Sequence, residues 1–515
     1  MTSETEQLFQ RYGPAYKWLA TATVMLGTLS MTLATTIVNV AIPDIMGVFG
    51  IDQSQAQWLS TGFLAAMTAF MLLSAWALSA FGMRAAYIGA MIIFILSAVA
   101  GGLSVNENMV ILSRVVQGAM AGIIQPLAMT IIFMVFPQRQ RGLGMGIYGL
   151  GVILGPAVGP ALGGVLVDWF SWRAVFFLPI PTCLVGIAFA MLFLGGRESR
   201  GPRPVFDWVG FSFLVAFLVC LLWATSNGQR LGWNSMLIHG LLMAAAASLL
   251  AFIYWQLRSD EPLINVRIFA VPGFAAGSII GFCFGAALFG TTYLIPLFVQ
   301  EIQQFTATKA GLLLMPAGLV MALSFPLSGH LSDRLPPHVP IAIGLVLIAV
   351  SCFALGMADV NTAFWVMVFW ITLGRVGMGL GLPSINAGSL RTLDFSQVSQ
   401  GAGAVNFSRQ LGGALGVNAL SVILDRRTWF HTEVMAQTQT ADNPMTRQML
   451  ASFQELAQRL GVSADRLEPE ALRFLGEMVY RQGYARGFQD SFMVLGVVFL
   501  LALIPAWLMG RLIKQ

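Results

Sequence analysis

Charged residues are scarce in this sequence. Only 10% of the 515 residues are charged, whereas 57% are hydrophobic and the mean hydropathy is +0.77. That leaves too little polar surface to cover a soluble globule of this length, so a soluble fold is excluded. No basic, aromatic-interleaved stretch is present, which excludes nucleic acid as a partner. The sequence also lacks an HExxH motif and a GxSxG motif with partner residues, so we expect no enzyme.

Cysteine is scarce as well. The four cysteines are Cys183, Cys220, Cys283 and Cys352, and none has CxxC spacing. We interpret them as small apolar packing residues and expect no disulfide, metal or other cofactor. Residues 1–17 are polar and lack the apolar core of a cleavable signal, so we expect the first apolar segment to be retained.

Long apolar runs, in contrast, are abundant. Crossing the hydrocarbon takes about 20 apolar residues per helix, and the sequence contains fourteen such segments. They begin near Trp18, Gln57, Tyr87, Met109, Leu143, Val175, Trp208, Met236, Phe274, Gly311, Ile341, Phe364, Gly401 and Asp490. Because they are continuously apolar rather than alternating, they predict an all-α polytopic membrane protein and not a barrel.

The basic residues predict the orientation of these spans. With both termini in the cytoplasm, the cytoplasmic side carries Arg11, Lys17, Arg84, Arg139, Arg141, Arg197, Arg200, Arg203, Arg258, Arg267, Arg334, Arg391, Arg511 and Lys514. The short outer loops keep Arg173, Arg230 and Lys309. This positive-inside bias supports an even number of spans and cytoplasmic termini, and the net charge of +5 reports topology.

We expect the spans in a 6+2+6 arrangement. Residues 1–17 form a cytoplasmic N-terminus, 18–195 a six-helix bundle, 196–258 a linker with two extra spans, and 259–515 a second six-helix bundle. The second bundle includes an outer, periplasmic segment, 425–487, whose apolar spacing predicts two amphipathic helices. They either cover the outer mouth of the bundle or dock a partner protein, and the sequence favours neither.

The two bundles carry a matching pattern. Arg114 and Gly118 in the fourth span have the same spacing as Arg375 and Gly379 in the twelfth. Each of these spans is the fourth of its bundle. The pattern therefore fits a parallel internal repeat about an axis normal to the membrane.

The fifth span contains a ladder of small residues and prolines. It consists of Gly151, Gly155, Pro156, Gly159, Pro160, Gly163 and Gly164. Small residues at this spacing share one helical face and let another backbone approach closely, while proline removes a backbone donor and kinks the helix. A kinked, closely packed span favours a transporter with moving parts.

Ionisable side chains inside the hydrocarbon are costly and are therefore functional candidates. No acidic residue falls in the middle of a predicted span, and the buried charges are Arg114, Arg375 and Arg409. The other candidates for a substrate or proton pathway are Asn39, Gln117, Gln125, His239 and Asn386. For Arg114 and Arg375, a static cross-link to backbone oxygens and a direct contact with substrate both remain open. Arg409 could also snorkel to the cytoplasmic end, and His239 could be a hydrogen-bonded structural residue.

Together these motifs resemble those of the major facilitator superfamily, in particular the 14-span drug:proton antiporter family and its EmrB/FarB-like branch. The ladder at 151–164 is similar to the antiporter motif of the fifth helix. Further similar segments are TIVNVAIP at 36–43, Arg114 with Gln117 and Gly118, the ninth-to-tenth span signature at 293–318, and NFSRQLGGALG at 406–416. The resemblance covers nearly the whole chain and implies a major facilitator fold with 14 transmembrane helices.

Two departures from the family pattern bear on mechanism. Ala34 stands where the pattern has a first-helix aspartate that is credited with cation binding or proton coupling. The gating motif at 74–84 has lost its aspartate and first arginine and keeps Arg84, whereas its counterpart in the second bundle keeps Asp333 and Arg334. We therefore expect the gating ion pairs mainly in the second bundle.

The resemblance implies a multidrug efflux transporter of the bacterial inner membrane that works by alternating access and proton antiport. It also implies a tripartite system with a periplasmic adaptor (membrane fusion) protein and a TolC-like outer-membrane channel. Opposite charges about 4 Å apart attract by about 4 kcal/mol at an effective dielectric near 20, so arginines without carboxylates predict hydrophobic anionic or neutral amphiphiles as substrates. The alternatives are a fatty-acid or lipid exporter whose ion coupling the sequence does not assign, and a non-transporting envelope scaffold.

Overall fold

The computed structural model describes residues 3–51, 53–56, 58–196, 205–440, 442–459, 463 and 466–512. Residues 197–204 of the expected linker lie outside this range. The described residues form nineteen α-helices. They are α1 (Ser3–Tyr12), α2 (Tyr16–Phe49), α3 (Gln53–Ala56), α4 (Trp58–Phe70), α5 (Leu73–Gly102), α6 (Glu107–Val135), α7 (Arg141–Trp169), α8 (Ala174–Phe177), α9 (Pro179–Phe193), α10 (Trp208–Leu231), α11 (Met236–Arg258), α12 (Pro272–Glu301), α13 (Ala307–Arg334), α14 (His338–Leu355), α15 (Phe364–Arg391), α16 (Val398–Thr438), α17 (Pro444–Arg459), α18 (Leu467–Leu501) and α19 (Leu503–Leu512).

Eleven helical segments in the described part of the chain are long and apolar enough to cross a membrane. The segments that contain the second, fifth and thirteenth expected spans are not counted separately, since α4 has only 13 residues and neither α7 nor α16 is in the set. The fourteen spans therefore stay a prediction. Within α5, Gly82 has φ 81° and ψ 169°, a left-handed conformation that favours glycine, and it kinks the chain between the expected second and third spans.

Side-chain caps fix the starts of three spanning helices. Asn106 Oδ1 accepts a hydrogen bond from Met109 N at 2.9 Å, and Asp207 Oδ1 accepts one from Gly210 N at 2.8 Å. Thr306 Oγ1 accepts a hydrogen bond from Lys309 N at 3.3 Å. Each cap satisfies an N–H group that has no partner within its helix. Polar residues in the short loops thus decide where the apolar helices begin.

The two bundles repeat the same helix pairings. In the first bundle, α2 packs against α7, and α6 packs against α4 and α5. In the second, α12 packs against α16, and α15 packs against α13 and α14. The extra helix α10 contacts both α4 and α16, while α11 packs against α10. The packing thus follows the repeat expected from the arginine and glycine spacing.

The closest backbone contacts between the bundles lie at the end that carries Arg84, Arg141, Arg334 and Arg391, which we call the basic face. There Gly142 and Gly146 of α7 pack so closely on Gly329 and Phe325 of α13 that a Cβ atom on either α7 glycine would overlap the α13 backbone. Farther along the same helices, Gly164 and Gly318 have open space where a Cβ would lie. Among these glycines, the close approach of α7 to α13 is therefore confined to the basic face.

The segment before the last span differs from its expected form. Helix α16 runs unbroken to Thr438, and α17 begins at Pro444, where Asn443 Oδ1 accepts a hydrogen bond from Met445 N at 3.0 Å. The second expected amphipathic helix is not separate but is the first part of α18. Gly483 and Gly487 of α18 pack on Thr428 and Thr432 of α16. This close packing carries both helices beyond the ends expected from hydropathy.

Candidate functional site

Arg114 is fully buried inside the first bundle. Its Nε donates to Leu59 O at 3.1 Å, and its Nη1 donates to Ala34 O and to Gln117 Oε1, both at 2.9 Å. The guanidinium also lies over the Phe63 ring, 4.2 Å from its centroid. The side chain thus links α6 to α2 and α4 through backbone oxygens. The carbonyl that it binds on α2 belongs to the residue that replaces the family aspartate.

Arg375 lies in the second bundle, with 8% of its surface exposed. Its Nη2 donates to Thr292 Oγ1 at 3.0 Å, and its Nη1 lies 3.6 Å from the weakly accepting sulfur of Met378. A small cavity beside it is lined in part by Thr291, Ser351 and Cys352. Arg375 therefore has fewer oxygen acceptors than Arg114.

Arg409 lies between the bundles. It is 7% exposed, and its Nη2 donates to Asn406 Oδ1 at 2.5 Å. The same oxygen accepts a hydrogen bond from the hydroxyl of Tyr148 on α7 at 3.1 Å. The side chain is held in the protein interior rather than extended to the basic face.

None of these three guanidinium groups lies within 4.0 Å of a carboxylate oxygen of the described residues. Uncompensated positive charge in a low-dielectric interior attracts anions strongly. The arrangement can therefore stabilise an acidic group that reaches it.

The remaining pathway candidates are dispersed. Asn39 is exposed on α2, where its Oδ1 accepts a hydrogen bond from Ser60 Oγ at 2.7 Å. Gln125 is buried on α6, and Asn386 is buried on α15 with no hydrogen-bond partner for its Oδ1 among the described residues. His239 is exposed near the start of α11, with Nδ1 3.1 Å from Ser235 O. Since α11 packs on α10, the structure does not bring His239 to the arginines.

The glycine ladder faces α2. A Cβ atom at Gly155 or Gly159 would overlap Thr32 or Thr36 of that helix, and one at Gly151 would overlap Met25. Thr32 Oγ1 also donates to Gly151 O at 3.1 Å. The side chains of Pro156 and Pro160 lie outside the described residues, and α7 runs through both positions as one helix.

Asp333 joins the bundles at the basic face. Its carboxylate accepts hydrogen bonds from Gly142 N at 2.7 Å and Leu143 N at 2.9 Å, the first backbone donors of α7. A carboxylate at a helix N-terminus is stabilised by the unpaired N–H groups and by the helix dipole. Its ion-pair partner is Arg391 at 2.8 Å, whereas Arg334 is exposed.

Arg84 makes its contacts at the first bundle and the N-terminal helix. Its guanidinium pairs with Glu4 of α1 and donates to Leu194 O at 2.7 Å. Glu4 also accepts a hydrogen bond from Gly196 N at 2.6 Å. Burial alone would raise the pKa of the Glu4 carboxyl, but the hydrogen bonds from Gly196 and Arg84 outweigh it and hold the pKa below the usual 4.5.

Four residues of these clusters were not among the sequence candidates: Tyr148, Asn406, Arg391 and Glu4. Tyr148 and Asn406 carried a sequence signal, because both are polar residues inside apolar helices: Tyr148 shortly precedes the glycine ladder, and Asn406 is the first residue of the motif at 406–416. Arg391 and Glu4 lie at helix ends among other charges. Nothing in their spacing indicates which partner each one meets.

Comparisons with known proteins agree with this architecture. A model of the Major Facilitator Superfamily matches residues 24–417. The chain is 27% identical over 501 residues to the multidrug export protein EmrB of Haemophilus influenzae, covering 95% of each chain. It is 29% identical over 474 residues to an uncharacterized MFS-type transporter, YhcA, of Bacillus subtilis, covering 91% of this chain and 88% of the relative.

The crystal structure of the human organic anion transporter MFSD10 matches with a TM-score of 0.62 at 15% identity, covering 95% of this chain and 99% of that one. At that identity the likeness shows the fold alone. The expected all-helical membrane fold is confirmed, and distant relatives include multidrug exporters. Because the family model spans most of its length, the chain belongs to the major facilitator superfamily, whose members are membrane transporters rather than enzymes.

Proposed function

We propose that this chain exports hydrophobic anionic or neutral amphiphiles across the bacterial inner membrane by alternating access and proton antiport. The observation that carries the proposal is the set of three membrane-embedded guanidinium groups, none paired with a carboxylate of the described residues. Such a field disfavours lipophilic cations and favours acids. Multidrug export is the activity in the name of EmrB, to which the chain is similar along 95% of its length.

Alternating access is supported by the placement of the contacts between the bundles. The closest of them lie at the basic face, where Gly142 packs on Gly329, and Asn39 is exposed within a spanning helix. If the basic face is cytoplasmic, as the positive-inside bias predicts, this arrangement is closed to the cytoplasm and open outward. Breaking the basic-face contacts would then open the space between the bundles to the other side.

A transport assay in proteoliposomes tests the proposal. The purified chain would be supplied with dodecanoate, a neutral long-chain alcohol and tetraphenylphosphonium, each with and without a pH gradient. We expect transport of the acid to exceed that of the cation, and the gradient to accelerate it. Strong cation transport without acid transport would contradict the substrate class, and transport that ignores the gradient would contradict proton antiport.

We also propose that the outer segment docks a periplasmic adaptor protein that leads to a TolC-like outer-membrane channel. Supporting this, large apolar side chains of the segment are exposed, among them Trp429 at 71% and Met445 at 73%. A variant that lacks residues 443–480 should insert in the membrane but lose copurification with the adaptor. Copurification that survives the deletion would contradict this docking site.

A further inference from the structure

Asn406 Oδ1 receives two hydrogen-bond donors from opposite bundles. Arg409 Nη2 donates from α16 at 2.5 Å, and the Tyr148 hydroxyl donates from α7 at 3.1 Å. Asn406 and Tyr148 are fully buried, and Arg409 is 7% exposed. A single neutral amide oxygen therefore accepts hydrogen bonds from a buried guanidinium and a buried phenol where the two bundles meet.

The other half of the amide fixes this geometry. Asn406 Nδ2 donates to Ala402 O at 2.9 Å and lies 3.0 Å from the sulfur of Met129 on α6. The reverse placement of the amide would direct an NH₂ group at a guanidinium, which is unfavourable. The oxygen is thus the acceptor around which both bundles converge.

Arg409 also lies well inside the thirteenth span expected from the sequence. Arg409 follows the first residue of α16, Val398, by eleven residues. At about 1.5 Å per residue this places it roughly 16 Å along the helix from its first residue. Arg114 and Arg375 each bond within one bundle, whereas the Arg409 cluster joins the two.

We infer that the acidic head group of the transported amphiphile binds between Arg409 and Tyr148 and takes the place of Asn406 Oδ1 as their shared acceptor. The inference rests on the proposed function and assigns its substrate site. A carboxylate is the stronger acceptor, since charge-assisted hydrogen bonds are roughly twice as strong as neutral ones. Bound there, the acid is held by one donor from each bundle, so its arrival and release are coupled to the contact between the bundles.

Equilibrium binding of radiolabelled dodecanoate to the full-length purified chain tests this site. Arg409→Gln should weaken binding by about tenfold or more, and Tyr148→Phe by about threefold to fivefold, because each removes a donor to the carboxylate. Asn406→Asp should weaken it by about tenfold, because the new carboxylate neutralises Arg409 from within.

Asn418→Asp is the matched control. Asn418 is on the same helix, and its Nδ2 donates to Thr225 Oγ1 at 2.9 Å, away from the cluster. This variant should bind dodecanoate like the unmodified chain. If Arg409→Gln does not fold, Tyr148→Phe keeps the test decisive because it removes the donating hydroxyl and leaves the packed ring in place.

Two outcomes would overturn the inference, and they can be told apart. If the unmodified chain binds dodecanoate and both Asn406→Asp and Tyr148→Phe bind it equally well, the site is wrong while the substrate class stands. If the unmodified chain binds tetraphenylphosphonium and no dodecanoate, the proposed function fails and the site assignment fails with it. Equal weakening by Asn418→Asp would show a general effect of added negative charge and would also reject the site.

Discussion

Arg114 and Arg375 occupy matching places in the sequence repeat but have different surroundings. Arg114 has three oxygen acceptors and a ring beneath it, and is fully buried. Arg375 has one hydroxyl and one sulfur as acceptors and retains 8% exposure beside a small cavity. The same sequence pattern thus gives an arginine that cross-links helices in the first bundle and an arginine with fewer oxygen acceptors in the second.

The gating motifs of the two bundles differ in the same way. Asp333 of the second bundle crosses to the first turn of α7, whereas Arg84 of the first bundle pairs with Glu4 of the N-terminal helix. The first motif has Ser79 and Ala80 where the family pattern has an aspartate and an arginine. We conclude that the carboxylate contact across the basic face is supplied by the second bundle.

Replacing each arginine by leucine should produce the largest difference between the bundles. Arg114→Leu removes three hydrogen bonds from a charged donor and leaves a void among α2, α4 and α6. Hydrogen bonds to charged groups contribute about 1.5–3 kcal/mol each to stability, and relaxation of the site offsets part of their loss, so we expect a loss on the order of 2–4 kcal/mol. Arg375→Leu removes one such oxygen bond and should cost about 1–2 kcal/mol.

The difference in stability can be measured by heating the two purified variants and determining the folded fraction at each temperature by size-exclusion chromatography. The midpoint should fall further for Arg114→Leu than for Arg375→Leu. Equal midpoints would mean that the carbonyls of Leu59 and Ala34 contribute little to the first bundle. The two arginines would then be equivalent despite their different partners.

Asp333→Asn should weaken the closed basic face by a smaller amount. The amide retains an oxygen for one N–H group of α7 but loses the charge that interacts with the helix dipole and Arg391, an effect on the order of 1–2 kcal/mol. A pair of spin labels at Arg139 and Leu335, on opposite sides of this contact, should report longer distances. Asp394→Asn is a control, because Asp394 is exposed and lies outside the contact.

Unchanged distances between the spin labels in Asp333→Asn would contradict the conclusion that the second bundle supplies the carboxylate contact across the basic face. Longer distances in Asp394→Asn as well would show a general effect of lost charge. In either case the carboxylate at residue 333 would not be what holds the basic face together.

The sequence predicts the fold well because lipid restricts the choices. Continuously apolar runs can satisfy their backbone groups only as helices, and the matched spacing of Arg114 and Arg375 marks the repeat. Helix ends are predicted less well where helices leave the membrane. Hydropathy ends the thirteenth span near Asp425, but close packing of Gly487 on Thr428 extends α16 to Thr438.

The candidate site is predicted only in part. Arg409 can be identified from sequence alone, because a charged side chain in the hydrocarbon is energetically costly and few charges lie in apolar runs. Tyr148, which donates to the same Asn406 oxygen from the other bundle, is 261 positions away, and only tertiary packing brings the two together. The same holds for Asp333 and the backbone of Gly142, since a backbone N–H carries no sequence signal.

Glu4→Gln should give the smallest effect on stability. It tests whether the ion pair between Glu4 and Arg84 of the first gating motif holds α1 in place. The pKa of the Glu4 carboxyl is below 4.5 when α1 is docked and rises when α1 is released, so ionisation stabilises docking above the ordinary pKa. This contribution is lost as the pH falls through the lowered, docked-state value. We therefore expect hydrogen exchange in α1 to be slower in the unmodified chain than in Glu4→Gln at pH 7, and the two to converge once the pH is below the lowered, docked-state pKa of Glu4.

Glu6→Gln is the matched control for this measurement, since Glu6 is exposed on the same helix. Its hydrogen exchange should equal that of the unmodified chain at pH 7. If Glu4→Gln also leaves the exchange of α1 unchanged at pH 7, the ion pair with Arg84 does not hold the N-terminal helix in place. Arg84 would then be free to interact with the second bundle. The two gating motifs would differ only in the aspartate that the first motif has lost.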